Sequence, residues 1–98
     1  MTNDEFMIHL EQTGFPEPIL ITRQADSFLD IHTHSFDAKA LILQGEISIT
    51  SSGGSNTYRV GDMFHVPAMT QHSEKYGPLG VKYLASRREV DITITNKV

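Results

Sequence analysis

The chain has 98 residues, of which 39% are hydrophobic and 20% charged, and its net charge is −4. These values are typical of one soluble folded domain and exclude intrinsic disorder, which requires few apolar residues and a high net charge. An acidic chain whose only adjacent basic residues are Arg87 and Arg88 is not expected to bind nucleic acid.

The amino terminus predicts a short helix. Thr2-x-x-Glu5 has the spacing of a capping box, Phe6, Met7 and Leu10 share one helical face, and Gly14 is a helix stop, so we expect a helix over 3–13. The first residues lack the basic and apolar regions of an export signal, and no stretch reaches the ~18 apolar residues of a membrane span. We therefore expect a cytoplasmic protein without a membrane partner.

The rest of the chain is typical of short strands separated by turns. Pro16 and Pro18 favour an extended path into the apolar, β-branched run at 19–22. Side chains alternate over 28–34, a longer strand pattern covers 38–49, and the turn cluster at 51–56 predicts a hairpin. Further strands are expected over 63–66, 80–86 and 90–95, with turns at 67–69 and 76–80. This pattern predicts a single all-β domain over 1–98, with an antiparallel sandwich or barrel over 18–95.

Three histidines are the candidate metal ligands. The chain has no cysteine, so only imidazole, carboxylate or water can hold a transition metal. Residues i and i+2 of a strand share a face with Cα atoms about 6.5 Å apart, so His32 and His34 can reach one ion. His72 follows a turn, a short strand and Pro67, an arrangement that can return it beside the pair. Taken singly, such histidines are more often ordinary surface or core residues.

The histidine segments also match, in order, the two sequence motifs of the cupin superfamily, which this chain resembles over residues 26–76. The first motif, G-x5-H-x-H-x3-4-E-x6-G, and the second, G-x5-P-x-G-x2-H-x3-N, are matched by His32, His34, Gly45, Gly61, Pro67 and His72. The resemblance implies an antiparallel double-stranded β-helix, also called a jelly-roll barrel. It also implies that the three histidines bind a metal inside this barrel.

The chain departs from the two motifs at four positions. Two of the four motif glycines are replaced by Asp26 and Met69, the glutamate is replaced by Ala38 and the asparagine by Tyr76. Three of the four expected ligands therefore remain, because Asp37 and Lys39 beside the lost glutamate have the opposite strand parity and are expected to face outward. Three neutral imidazoles suit Fe(II), Ni(II), Cu(II) or Zn(II), and the missing carboxylate weakens the preference for Mn(II) or Mg(II).

Three residues are candidates for lining a pocket near the metal. Gln44 shares the strand parity of Ala40 and Ile42, so we expect it to point into the barrel, where it either binds a ligand or is a buried amide satisfied by backbone. Phe36 and Phe64 are candidate apolar lining residues, although such side chains in strands most often form core.

The two remaining histidines are expected outside the site, whereas Glu74 and the Arg87-Arg88 pair each have a functional and a structural interpretation. His65 is expected on the outer face, and His9 is expected to be a partly exposed helix residue. Glu74 either orients a ligand histidine as a hydrogen-bond acceptor or is an ordinary surface carboxylate. Arg87 and Arg88 either bind an anionic substrate or pair with the carboxylates that follow them.

Two functions are compatible with these features. The first is a divalent-metal protein that binds a small organic molecule in the barrel and acts on it as an oxygenase or isomerase-like enzyme; its histidine triad resembles that of the thiol dioxygenases. The second is a non-catalytic sensing module that resembles the ligand-binding domains of AraC-type regulators, although no helix-turn-helix is predicted. A metal-free structural cupin is a third interpretation, which the retained triad disfavours.

The apolar alternation of Val90, Ile92 and Ile94 predicts a homodimer.

Overall fold

The computed structural model describes residues 1–90, which form one helix and six strands. These are α1 (Asn3–Gln12), β1 (Ile19–Arg23), β2 (Phe28–His32), β3 (Phe36–Ser51), β4 (Gly54–Arg59), β5 (Met63–Val66) and β6 (His72–Glu89). All strand pairs are antiparallel. The predicted all-β fold with a short amino-terminal helix is therefore confirmed. No helix within the described residues is long and apolar enough to span a membrane.

Two long strands, β3 and β6, pair along their lengths and belong to both sheets of the barrel. The first half of β3 also pairs with β5, and the second half of β6 pairs with β1. The second half of β3 pairs with β4, and the first half of β6 pairs with β2. Each sheet therefore has four strands, with β3 and β6 at its centre, and the two sheets together form a jelly-roll barrel.

The two long strands bend where Gly45 and Gly80 meet. Both glycines have φ of +72°, and a Cβ atom on Gly45 would collide with the carbonyl oxygen of Gly80. Only glycine combines this backbone conformation with so close an approach of two chains. The sequence predicted a turn over 76–80 between two strands, whereas the structure keeps β6 as one strand whose register with β3 shifts at this point.

A register shift in β3 moves Gln44 out of the barrel. Ala40 and Ile42 face the barrel interior, but after the irregularity between Ile42 and Gln44 the buried positions become Ile47 and Ile49. The inward parity therefore changes from even to odd. Gln44 lies at this change and is exposed, so the prediction that it points into the barrel is wrong.

The strands have apolar side chains on both faces. The barrel interior is a cluster of buried residues that includes Ile42, Ile47, Val81 and Tyr83. On the outer face, Phe6, Leu10, Phe15 and Leu41 form a second cluster, which attaches α1 to the sheet.

Both ends of α1 are fixed by hydrogen bonds to backbone groups. The capping box of Thr2 and Glu5 is present at its start. At its end the Phe15 N–H donates to the Leu10 carbonyl and the Gly14 N–H donates to the Glu11 carbonyl, which is a Schellman motif. Phe15 and Leu10 also pack together, so the helix end is itself part of the outer core.

The predicted strand over 90–95 lies outside the described residues except for its first position. Val90 is exposed. The homodimer predicted from its alternation with positions 92 and 94 stays a prediction.

Candidate metal centre

Three histidines converge at one end of the barrel interior. His32 ends β2, His34 lies in the short loop before β3, and His72 begins β6 opposite His32. The ring centroids of His32 and His72 are 4.2 Å apart, those of His34 and His72 are 5.0 Å apart, and those of His32 and His34 are 6.0 Å apart. One ligand atom from each ring lies within 4.8 Å of the other two. His72 is almost fully buried, and the other two rings are partly exposed.

Each ring is held by a hydrogen bond from its Nδ1 atom to a backbone carbonyl two residues away. The acceptors are the carbonyls of Asp30 for His32 at 2.7 Å, Phe36 for His34 at 3.0 Å and Thr70 for His72 at 2.8 Å. A carbonyl can only accept, so Nδ1 carries the proton in all three rings. In the neutral imidazole this leaves the Nε2 lone pair free, which is the state that a metal ligand needs.

The loop before β6 is fastened to the elements that carry the other ligands. The Met69 N–H donates to the His34 carbonyl at 2.8 Å. The Asp37 carboxylate accepts from the Ala68 N–H at 2.8 Å and from Arg88 at 3.0 Å. Asp37 thus faces outward, as its parity predicted, and acts on the site only by positioning this loop.

The environment of His34 favours its neutral form. Burial lowers the pKa of His34 below its ordinary value, and the neighbouring His72 and His32 lower it further, while the hydrogen bond to Phe36 raises it in part. A neutral ring binds a metal without first losing a proton.

The histidines lie in a cavity of about 220 Å³. Its walls include Phe36, whose ring stacks on that of His34 at 4.1 Å, and Phe64 from β5. Gln44 is not among the residues that line this cavity. Burial raises the pKa of Tyr83, another wall residue, to about 12, so its phenol is neutral at physiological pH.

Two arginines also line the cavity. Arg87 lies over the Phe36 ring, with its guanidinium carbon 4.9 Å from the ring centroid, and Arg23 lies at the end of β1. Arg88 points to the other face of the sheet, where it bonds Asp37 and the Thr13 carbonyl. Adjacent strand residues face opposite sides, so only one residue of the Arg87-Arg88 pair reaches the cavity.

Glu74 also faces the cavity, close to two of the histidines. Its Oε2 atom lies 3.6 Å from Nε2 of His32 and 3.5 Å from Nε2 of His72, and its side chain is 14% exposed. The Tyr76 hydroxyl donates to its other oxygen, Oε1, at 3.0 Å. Glu74 is therefore not a solvated surface residue. No strand was predicted over 72–76, so the strand parity that Glu74 shares with His72 was a signal that the sequence analysis did not use.

The remaining histidines lie outside the cavity. His65 is exposed on the outer face, as its parity predicted, with its ring edge-on to that of Phe15. His9 is partly exposed on α1, where its Nε2 accepts from the buried Lys39 amine at 2.8 Å. Neither ring lines the cavity that holds the three clustered histidines.

The donor set fits a divalent transition metal. Three neutral imidazoles present Nε2 lone pairs to a shared space, and two ligands of one ion at ~2.1 Å are at most ~4.2 Å apart. A pair of ligand atoms separated by 4.8 Å therefore has to close by at least ~0.6 Å when the ion binds.

No family model and no curated protein matches the sequence. Solved structures do match the fold. A cupin superfamily protein from Desulfitobacterium hafniense is 25% identical with a TM-score of 0.64, and the match covers 72% of this chain and 64% of that one. The cupin domain of Schizosaccharomyces pombe Cnp3 is 19% identical with a TM-score of 0.67, and the match covers 85% of this chain and 67% of that one.

An oxalate decarboxylase from Bacillus subtilis is also similar in fold. It is 17% identical with a TM-score of 0.65, and the match covers 74% of this chain but only 20% of that one. The chain thus spans less than two thirds of the first of these structures and about a fifth of the decarboxylase. What these structures share with this chain is the fold.

Proposed function

Since the chain has the cupin fold, as its two motifs predicted, we propose that it is a divalent-metal protein that binds a small anionic organic molecule inside the barrel and acts on it. The observation that carries this proposal is the convergence of three Nε2 lone pairs at the end of a cavity, with each Nδ1–H held by a carbonyl.

The histidine triad favours a catalytic over a purely structural metal. Three histidine ligands leave positions of a five- or six-coordinate ion open to water or to a substrate, whereas structural zinc sites are tetrahedra closed by four protein ligands. A metal bound here supplies Lewis-acid chemistry, or dioxygen chemistry if it is Fe(II). Among proteins of similar fold, the Bacillus subtilis oxalate decarboxylase has Mn(II) centres, and another is a DMSP lyase from Ruegeria pomeroyi.

The cavity walls favour a small ligand with a negative charge. Its volume of about 220 Å³ lies below the ~300–1,000 Å³ of sites that hold drug-sized molecules. The guanidinium group of Arg87 is held against Phe36 at the cavity wall, and Arg23 adds a second positive charge. A guanidinium matches the two oxygens of a carboxylate in geometry as well as in charge.

Metal analysis of purified and metal-reconstituted protein tests the first half of the proposal. We expect about one divalent metal ion per chain in the parent, and loss of at least ~90% of it in His32→Ala. His65→Ala is the matched control, because this histidine is exposed on the outer face, and it should retain the parent's metal. Equal metal in His32→Ala and the parent would refute the site.

Calorimetric titration of the metal-loaded protein with small mono- and dicarboxylates tests the second half. Arg87→Gln should weaken binding of the best carboxylate at least ~10-fold while the metal content stays unchanged. Arg59→Gln is the control, since this exposed arginine pairs with Glu46 outside the cavity. Turnover of the bound carboxylate, with or without oxygen uptake, establishes an enzyme, and binding without turnover establishes a sensing module.

A further inference from the structure

We propose that Glu74 is a fourth metal ligand, which supplies from β6 the carboxylate that the first histidine motif lacks in β3. This inference rests on the proposed function, because it assigns one more residue to the same metal. In the cupin motif the glutamate stands where this chain has Ala38, and the Ala38 side chain lines the cavity without a donor atom.

The proposal follows first from an excess of hydrogen-bond acceptors. In neutral rings, Nε2 of His32 and of His72 accept, because each ring gives its Nδ1 proton to a carbonyl. The Oε2 atom of Glu74 faces both, and an ionised carboxylate is also only an acceptor. Three acceptors around one space repel each other unless a cation, either a proton or a metal ion, lies among them.

The distances agree with a shared ion rather than with hydrogen bonds. Oε2 is 3.6 Å and 3.5 Å from the two nitrogens, beyond the ~2.7–3.2 Å of a hydrogen bond from nitrogen to oxygen. Two ligands that each lie ~2.0–2.1 Å from one ion, at angles of about 110–120°, are roughly 3.4–3.6 Å apart. The two distances from Oε2 thus match the spacing of two ligands on one ion.

Tyr76 fixes the carboxylate in the orientation that coordination needs. Its buried hydroxyl donates to Oε1 at 3.0 Å, which leaves Oε2 directed at the histidines. Carboxylates that bind metals are commonly held in this way by a hydrogen bond to the oxygen that does not coordinate. Tyr76 is therefore a positioning residue, and it occupies the place of the motif's asparagine.

A carboxylate ligand changes which metals the site accepts. Three imidazoles alone favour borderline ions such as Zn(II) and Cu(II), whereas an added carboxylate raises the affinity for harder ions such as Mn(II). We therefore expect Mn(II) to bind the parent, and we expect its affinity to depend on Glu74 more than that of Zn(II) does.

Competition titrations with a fluorescent chelator, using Mn(II) and Zn(II) alone, test this assignment. Glu74→Gln should weaken Mn(II) binding at least ~100-fold and Zn(II) binding about 10-fold or less. Glu46→Gln is the matched control, because this glutamate lies outside the cavity and pairs with Arg59, and it should match the parent. An unchanged ratio of the two affinities in Glu74→Gln overturns the assignment.

A crystal structure of the Mn(II)-loaded parent provides a readout that a merely neighbouring carboxylate would not satisfy. Oε2 of Glu74 should lie within ~2.3 Å of the ion, and a separation above ~3 Å overturns the assignment even if the affinities change.

The proposed metal site and the proposed role of Glu74 can be refuted separately. If the parent takes up no divalent metal, both are wrong, whereas if the parent and Glu74→Gln bind Mn(II) equally, only the role of Glu74 is wrong.

Discussion

Two residues that stand where the cupin motifs have glycine adopt a backbone conformation that favours glycine. Asp26 and Met69 have φ of 56° and 64°, and within residues 1–90 no other residues besides glycines have positive φ. Aspartate tolerates the left-handed region better than most residues, but methionine does not. The backbone is therefore strained at Met69.

Met69→Gly is expected to raise the free energy of unfolding by about 0.5–1 kcal/mol. The left-handed conformation costs a side chain roughly 1–2 kcal/mol, and the greater chain entropy of unfolded glycine offsets part of this gain. Little apolar burial is lost, because the Met69 side chain is 57% exposed. Chemical denaturation measures the difference, and Asp26→Gly should give a smaller gain. A Met69→Gly protein less stable than the parent would contradict the presence of strain.

Strand parity predicted the positions of side chains only within segments that contain no bulge. It placed Asp37 and Lys39 on the outer face correctly, where Asp37 accepts from Arg88 and Lys39 donates to His9. It failed for Gln44, because the register shift beside this residue reverses the face of every later residue in β3. Gly45 indicates a bend in the sequence, but the register shift depends on β6 across the sheet, and a single sequence does not show that pairing.

The histidine cluster itself was predictable for two reasons. His32 and His34 are close in sequence. The second motif follows the first in the expected order, and it predicted that the chain brings His72 beside the pair. The role of Glu74 was not predictable, because a carboxylate two residues after a histidine has the same parity whether it lies in a cavity or at a solvated edge. Whether Glu74 lies in a cavity or at a solvated edge depends on how the two sheets of the barrel close around it.

Asp37 connects β3 to the loop that precedes β6, and we expect this tie to depend on pH. Its hydrogen bond from Ala68, and then that from Arg88, lower the pKa of Asp37 below its usual value. A carboxylate with a lowered pKa in the folded state stabilises above its unfolded pKa of ~3.9, and this contribution is lost as pH falls through the folded pKa.

Asp37→Asn should therefore destabilise the protein by about 1–2 kcal/mol at pH 6–7, with the deficit shrinking as pH falls below about 4. Urea titrations of both proteins between pH 7 and pH 2.5 measure this difference. Glu17→Gln, which removes an exposed carboxylate, should match the parent at every pH. A deficit of Asp37→Asn that is constant across this range would show that Asp37 contributes no charge-dependent stability.

For the whole molecule, the proposed metal connects distant parts of the chain. His32 and His72 are 40 positions apart, on β2 and β6, and apart from His32 every residue of β2 is exposed. β2 is thus attached to the barrel mainly by its pairing with β6 and by the histidine cluster. Since the unfolded chain does not bring the three rings together, an ion bound to them stabilises only the folded state.

Removal of the metal is expected to lower the melting temperature by about 10–20 °C. An ion at 100 times its Kd contributes ~2.7 kcal/mol, and 1 kcal/mol shifts the melting temperature of a domain of this size by ~4–8 °C. Scanning calorimetry with saturating metal and then with excess chelator measures the shift, and His34→Ala should have the same melting temperature in both conditions.

Amide exchange in β2 should slow on metal binding, because an ion held by His32 and His72 joins β2 to β6 beyond their backbone pairing. If the parent binds the ion but neither its melting nor exchange in β2 responds, the metal does not hold β2 to the barrel.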